Sequence, residues 1–137
     1  MSQEPDSCVL LADRHHGLTE GVRGLLETVF ATVVMVADEP SLLEGALRIQ
    51  PDLAVVDLSL SPACGLGWLR ELRKRCPGLK IVVLSVHDES SVRGAALDAG
   101  ADAFVLKRAI ATDLLSAVDE VRDGSGPEAD LVTTTTN

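Results

Sequence analysis

Five short apolar runs punctuate the chain at Cys8–Ala12, Thr32–Ala37, Leu53–Asp57, Lys80–Val86 and Ala103–Lys107. Each is rich in Val, Leu or Ile and is mostly bounded by polar residues, Gly or Pro, as strands are. Near-continuous apolarity, in place of alternation, predicts strands covered on both faces, as in a parallel sheet. Helical spacing fills the intervals. Leu18, Val22, Leu25, Leu26 and Val29 draw one apolar stripe, with successive members four, seven, eight and eleven residues after the first. Ser41-Leu42-Leu43-Glu44 has the form of a capping box, so a second helix is expected to begin there and run towards Ile49. Leu66, Leu69 and Leu72 mark a third, ended by Cys76-Pro77-Gly78. Val92, Ala95, Ala96 and Ala99 mark a fourth, closed by Gly100. Leu114, Leu115, Val118 and Val121 mark a fifth, closed by Gly124.

Strands alternating with helices give a (βα)5 chain, and right-handed crossovers then place helices on both faces of one parallel sheet. The fold class is α/β: a doubly wound five-stranded parallel sheet, flavodoxin-like, with strand order 2-1-3-4-5. The expected organisation is a disordered arm over 1–7, one domain over 8–124 and a linker over 125–137. That last stretch reads Ser-Gly-Pro-Glu-Ala-Asp and then Leu-Val before four threonines.

Composition narrows the function. The 137 residues are 46% hydrophobic and 24% charged, a globular balance. Only Phe30, Trp68 and Phe104 are aromatic, which argues against base-stacking single-strand binders. Twelve basic against 21 acidic residues give a net charge of −9, repelling phosphate backbones and anionic membranes. The apolar runs are far shorter than the roughly 20 residues of a membrane span. Residues 1–7 lack the features of a secretory signal. Cys8, Cys64 and Cys76 are odd in number and without C-x-x-C spacing, which fits a reducing cytoplasm.

Ligands of open α/β sheets bind beyond the carboxyl ends of the strands. Strand one ends in Asp13-Arg14-His15, strand three in Asp57, strand four in Ser85 and strand five in Lys107. An isolated aspartate such as Asp57 would be read as a strand-ending cap. Its coincidence with Asp13, Ser85 and Lys107 points instead to a carboxylate nucleophile that takes up a phosphoryl group. Lys107 then supplies a point charge and Ser85 a hydroxyl for the anion. Mg²⁺ is the cofactor such a site would normally use.

The segments Val9-Leu10-Leu11-Ala12-Asp13, Pro51 to Leu58, Val83-Leu84-Ser85 and Gly100 to Lys107 together resemble the receiver domains of two-component response regulators. Ser85-Val86-His87 and the Ala-Gly-Ala-Asp-Ala-Phe run are most similar to the LuxR-type transcription regulators. The resemblance implies that Asp57 is the phosphoacceptor, Asp13 a metal-site acid, and Ser59 a donor of its backbone carbonyl to the metal. Ser85 and Lys107 would hold the phosphoryl group, and Phe104 would be the aromatic switch. It further implies a histidine kinase as donor, a dimer mate or other partner as receiver of the signal, and DNA contact only through an output domain outside this chain.

Two departures stand out. The family usually carries a second acid where this chain has Arg14, which removes an oxygen ligand and adds a cation. Two unit charges about 4 Å apart interact by roughly 4 kcal/mol at an effective dielectric of 20, and a dication doubles that. Weakened Mg²⁺ binding is therefore expected, unless Arg14 turns outward or bridges Asp13 and Asp57. The loop Leu60-Ser61-Pro62-Ala63-Cys64-Gly65 also departs from the usual text, with its proline shifted and a cysteine for an acid.

Two alternatives to the phosphorylated switch follow: a phosphate-independent pseudo-receiver serving as an interaction module, and, more weakly, an enzyme such as a phosphatase. His15-His16 is read as an exposed pair, since adjacent residues point apart. Cys64 is read as inert, Trp68 as a core anchor, and the run Arg70, Arg73, Lys74, Arg75 as solvated charge on a helix C-terminus. Gly17, Gly21 and Gly24 do not have dinucleotide-fingerprint spacing.

Overall fold

The computed structural model describes residues 7–14, 16–60 and 66–122. The strands are β1 (Cys8–Ala12), β2 (Thr32–Val36), β3 (Leu53–Asp57), β4 (Lys80–Ser85) and β5 (Ala103–Leu106). The helices are α1 (His16–Leu26), α2 (Glu39–Ile49), α3 (Gly67–Arg75), α4 (Ser90–Ala99) and α5 (Ile110–Arg122). All pairings are parallel and the sheet order is β2-β1-β3-β4-β5, as the alternation predicts.

Period-two geometry explains why the central strands are apolar throughout. Val9, Leu11, Val55, Val82 and Leu84 face a core layer closed by α1 and α5 through Val22, Leu26, Leu114 and Val118. Their neighbours Leu10, Ala12, Ala54, Val56 and Val83 face the opposite layer, closed by α2, α3 and α4 through Leu42, Leu69, Leu72 and Ala96. Both side-chain sets are buried, so no polar face survives in β1 or β3. Trp68 is buried in the second layer, the anchor its position suggested.

The element ends correct the sequence reading in several places: β2 stops at Val36, short of Ala37, and α1 ends at Leu26, before Val29. Helix α2 begins at Glu39, not Ser41, because Asp38 is its cap and accepts from the Ser41 N–H at 2.8 Å. Pro40 fits that first turn, where its missing N–H has no helical partner. Strand β4 stops at Ser85, leaving Val86 exposed. Lys107 opens a short 3-10 turn, Lys107–Ala109, that follows β5 directly. Ser7 is buried, and its hydroxyl accepts from Ala31 N–H at 2.9 Å. Gly124, Cys64 and His15 lie outside the described residues.

The basic run ending α3 is also more than solvated charge. The Arg73 guanidinium donates to the carbonyls of Gly100, Pro77 and Leu79 and to the Asp102 carboxylate, at 2.7–3.1 Å. Asp102 in turn accepts from Ile81 N–H at 2.8 Å. This clamp ties α3 to the start of β4 and to the turn before β5. It lies at the amino ends of the strands, away from the rim that carries the acids.

Candidate functional site

Four of the five strands deliver a polar group to the carboxyl-end rim because their apolar runs end there: Asp13 after β1, Asp57 on β3, Ser85 on β4 and Lys107 after β5. Ala12 pairs with Val56 across β1 and β3, so Asp13 and Asp57 leave the sheet side by side. Both are buried. Asp13 is anchored through its N–H to Val36 carbonyl at 3.1 Å. Lys107 follows Leu106, which pairs with Ser85.

Across the rim the Lys107 Nζ lies 2.6 Å from Asp57 Oδ2, with the lysine side chain only 12% exposed. The other oxygen, Oδ1, accepts from both the N–H and the hydroxyl of Ser59, each at 3.0 Å. Burial of the Asp57 carboxyl works against ionisation. The Lys107 ammonium, the Ser59 N–H and a hydrogen bond with Asp13 outweigh it, holding its pKa below the ordinary value. The group is thus an ionised carboxylate at neutral pH, held between a cation and donors. That is the form a nucleophile needs.

Ser85 stands at the end of β4 and Phe104 within β5. Ser85 is buried, and its hydroxyl accepts from His87 N–H at 2.9 Å, closing the turn after β4. Phe104 is buried in the α2–α4 layer, with the Arg93 guanidinium of α4 5.8 Å from its ring centre. Arg14 is exposed and forms no ion pair among the described residues. Of the arrangements open to it, the outward one is adopted, not the bridge. Sequence reasoning missed Arg93 over Phe104, and also the Arg108–Asp88 ion pair of 2.9 Å joining the turns after β4 and β5. Neither has a local signal, since both partners are brought together by the sheet order.

Residues 9–119 match the response regulator receiver domain family. The chain belongs to that family. The receiver is 34% identical to the nitrate/nitrite response regulator protein NarP of Escherichia coli (strain K12), covering 85% of this chain and 55% of that protein. It is 31% identical to the transcriptional regulatory protein DegU of Brevibacillus brevis, covering 85% and 50%. Among solved structures it superimposes on a LuxR-family two-component response regulator from Aurantimonas sp. SI85-9A1. There the TM-score is 0.81 and the identity 27%, over 88% of this chain and 87% of that one. The non-phosphorylated receiver domain of the stress response regulator RcsB from Escherichia coli gives 0.78 and 25%, over 88% and 95%. The receiver spans about half the length of the curated relatives it matches.

Response regulators are generally signalling proteins, and receivers of this family typically bind Mg²⁺ for phosphorylation. The donor set of this receiver does not fit that ion. Two acids converge, both oxygens of Asp57 are engaged by Lys107 and Ser59, and the position after Asp13 supplies a guanidinium turned to solvent in place of an oxygen ligand. Among the described residues no group of three or more His, Cys, Asp or Glu comes together to hold a metal. No described helix is long and apolar enough to cross a membrane.

Proposed function

We propose that Asp57 of this receiver accepts a phosphoryl group from a phosphohistidine of a histidine kinase, controlling a DNA-binding output domain outside the chain. The observation that carries this reading is the buried Lys107–Asp57 pair, 2.6 Å apart, with Asp13 beside it. A phosphate-independent module has no use for a desolvated, ionised carboxylate on that rim.

In the transfer an Asp57 carboxylate oxygen attacks phosphorus while the P–N bond to the kinase imidazole breaks. The electron pair stays on the imidazole nitrogen, and Asp57 becomes an acyl phosphate. Lys107 exchanges its carboxylate contact for the phosphoryl oxygens. Ser85 turns its hydroxyl from the His87 carbonyl, 3.4 Å away, to donate to the same group, and Phe104 shifts within its layer, leaving Arg93. The face of α4, β5 and α5 then changes towards its partner, a second copy of the chain or the output domain. The receiver unit corresponds to 8–124, with 125–137 as linker.

The test is intact-protein mass spectrometry after incubation with a small phosphodonor, with and without Mg²⁺. Wild type gains one phosphoryl adduct and Asp57→Asn gains none. An adduct that persists in Asp57→Asn, or its absence from wild type under both conditions, overturns the assignment.

A further inference from the structure

Among the described residues the inner rim pairs two acids, Asp13 and Asp57, with two cations, Lys107 and Arg14, and the Arg108–Asp88 pair beside them is self-neutralising. An acid at position 14 carrying a bound dication would add one net positive charge. A guanidinium at that position adds the same. The two arrangements therefore present an incoming phosphoryl group with equal net charge, although only the first needs a metal. They differ in chemistry: a guanidinium offers a planar fork of N–H donors suited to phosphate oxygens.

Arg14 is placed for that use. It directly follows the buried Asp13, on the rim that holds Asp57 and Lys107. Its side chain is exposed and committed to no carboxylate among the described residues, so turning to a phosphate breaks no ion pair. Phosphorylation turns the single charge of Asp57 into a dianion, which leaves the rim one charge more negative. That is the state in which an uncommitted cation next to the acids gains most.

We propose that the Arg14 guanidinium binds the phosphoryl oxygens on Asp57, in place of an acid-bound divalent cation, so that this receiver is phosphorylated without metal. The inference rests on Asp57 being the acceptor. It makes Arg14 a phosphate-binding residue of the reaction, stabilising the anion as it forms.

The experiment uses the 137-residue chain with phosphoramidate as donor, in EDTA and in Mg²⁺, read by intact mass spectrometry. Calorimetric titration with Mg²⁺ alone is the second readout. Wild type is expected to label in EDTA at a rate within about threefold of that in Mg²⁺. Arg14→Ala loses about ten- to a hundredfold in EDTA, the loss of one charge-assisted interaction. Arg14→Lys recovers part of it, and Arg14→Asp labels only with Mg²⁺ and gains measurable Mg²⁺ binding heat. Because Arg14 is exposed, these variants keep the fold, which circular dichroism verifies. Labelling of wild type only in Mg²⁺ overturns the role of Arg14 while leaving Asp57 as acceptor. An Arg14→Ala variant that labels in EDTA like wild type does the same. Failure of wild type to label in either condition overturns the acceptor reading itself.

Discussion

Lys107 and Asp57 carry both the chemistry and a share of the stability of this receiver. Their side chains are 12% and 2% exposed, so removing the cation leaves a buried carboxylate uncompensated. Lys107→Ala is expected to cost about 3 kcal/mol in urea unfolding. The lowered pKa of Asp57 fixes the direction of its pH dependence. Its contribution is complete above the ordinary pKa of 3.8 and is lost as pH falls through the lower native value. The urea midpoint of wild type should be insensitive to this group between about pH 5 and 8 and should drop below about pH 4. In Lys107→Ala that acid-side drop shrinks, because the strongest group lowering the Asp57 pKa is gone. An unchanged acid limb in the variant would show that Lys107 is not what holds Asp57 ionised. Asp13, Asp57, Ser85 and Lys107 were legible because each follows an apolar run that had to be a strand. Arg93 over Phe104 was not, since nothing local to residue 93 marks a ring arriving from β5.

At the scale of elements the least expected feature is the Arg73 clamp. Its basic run satisfied a simple account, cations at a helix C-terminus. The structure shows that one member of the run supplies hydrogen bonds to three carbonyls in two other segments and pairs with Asp102. Gly100 is part of the same device. Its φ of +127° suits glycine, and an added Cβ would lie 2.8 Å from Arg73 Cβ. Arg73→Ala is expected to lose about 3 kcal/mol, with Arg73→Lys recovering little, because an ammonium cannot span the fork of acceptors. Gly100→Ala should lose about 2 kcal/mol from φ and crowding together. Urea midpoints for the three variants measure this, and a fully rescued Arg73→Lys would reduce the clamp to a simple ion pair. The start of α2 teaches a related point. Ser41 and Glu44 have capping-box spacing, yet Asp38 caps the helix because Pro40 already suits its first turn.

Over the whole molecule, two core layers hold the sheet rigid while its carboxyl rim keeps groups that are poised to exchange partners. The Ser85 hydroxyl is held by His87 N–H, and the Arg108–Asp88 pair joins the turns that follow β4 and β5. Phosphorylation should therefore alter the turn after β4 and helix α4, and leave α2 as it was. Hydrogen–deuterium exchange checks this: amides in 86–99 should exchange faster in the phosphorylated receiver, those in α2 should not, and Asp57→Asn should show no change with donor. Equal changes in α2 and α4 would mean a general loosening, not a directed switch.

Binary pattern by itself determined the number of strands and helices, their parallel pairing and the rim on which the acids stand. The physical reason is that an all-apolar strand requires cover on both faces, and βα alternation supplies it in one handed way. Charged groups at the ends of such strands must then emerge on one edge of the sheet. Only the tertiary structure decided which charges meet. Lys107 reaches Asp57 across 50 residues, Arg73 reaches Gly100 across 27, and Arg14 stays in solvent. Long side chains settle wherever desolvation, hydrogen bonds and charge balance are best satisfied. Those terms depend on neighbours that lie far away along the chain.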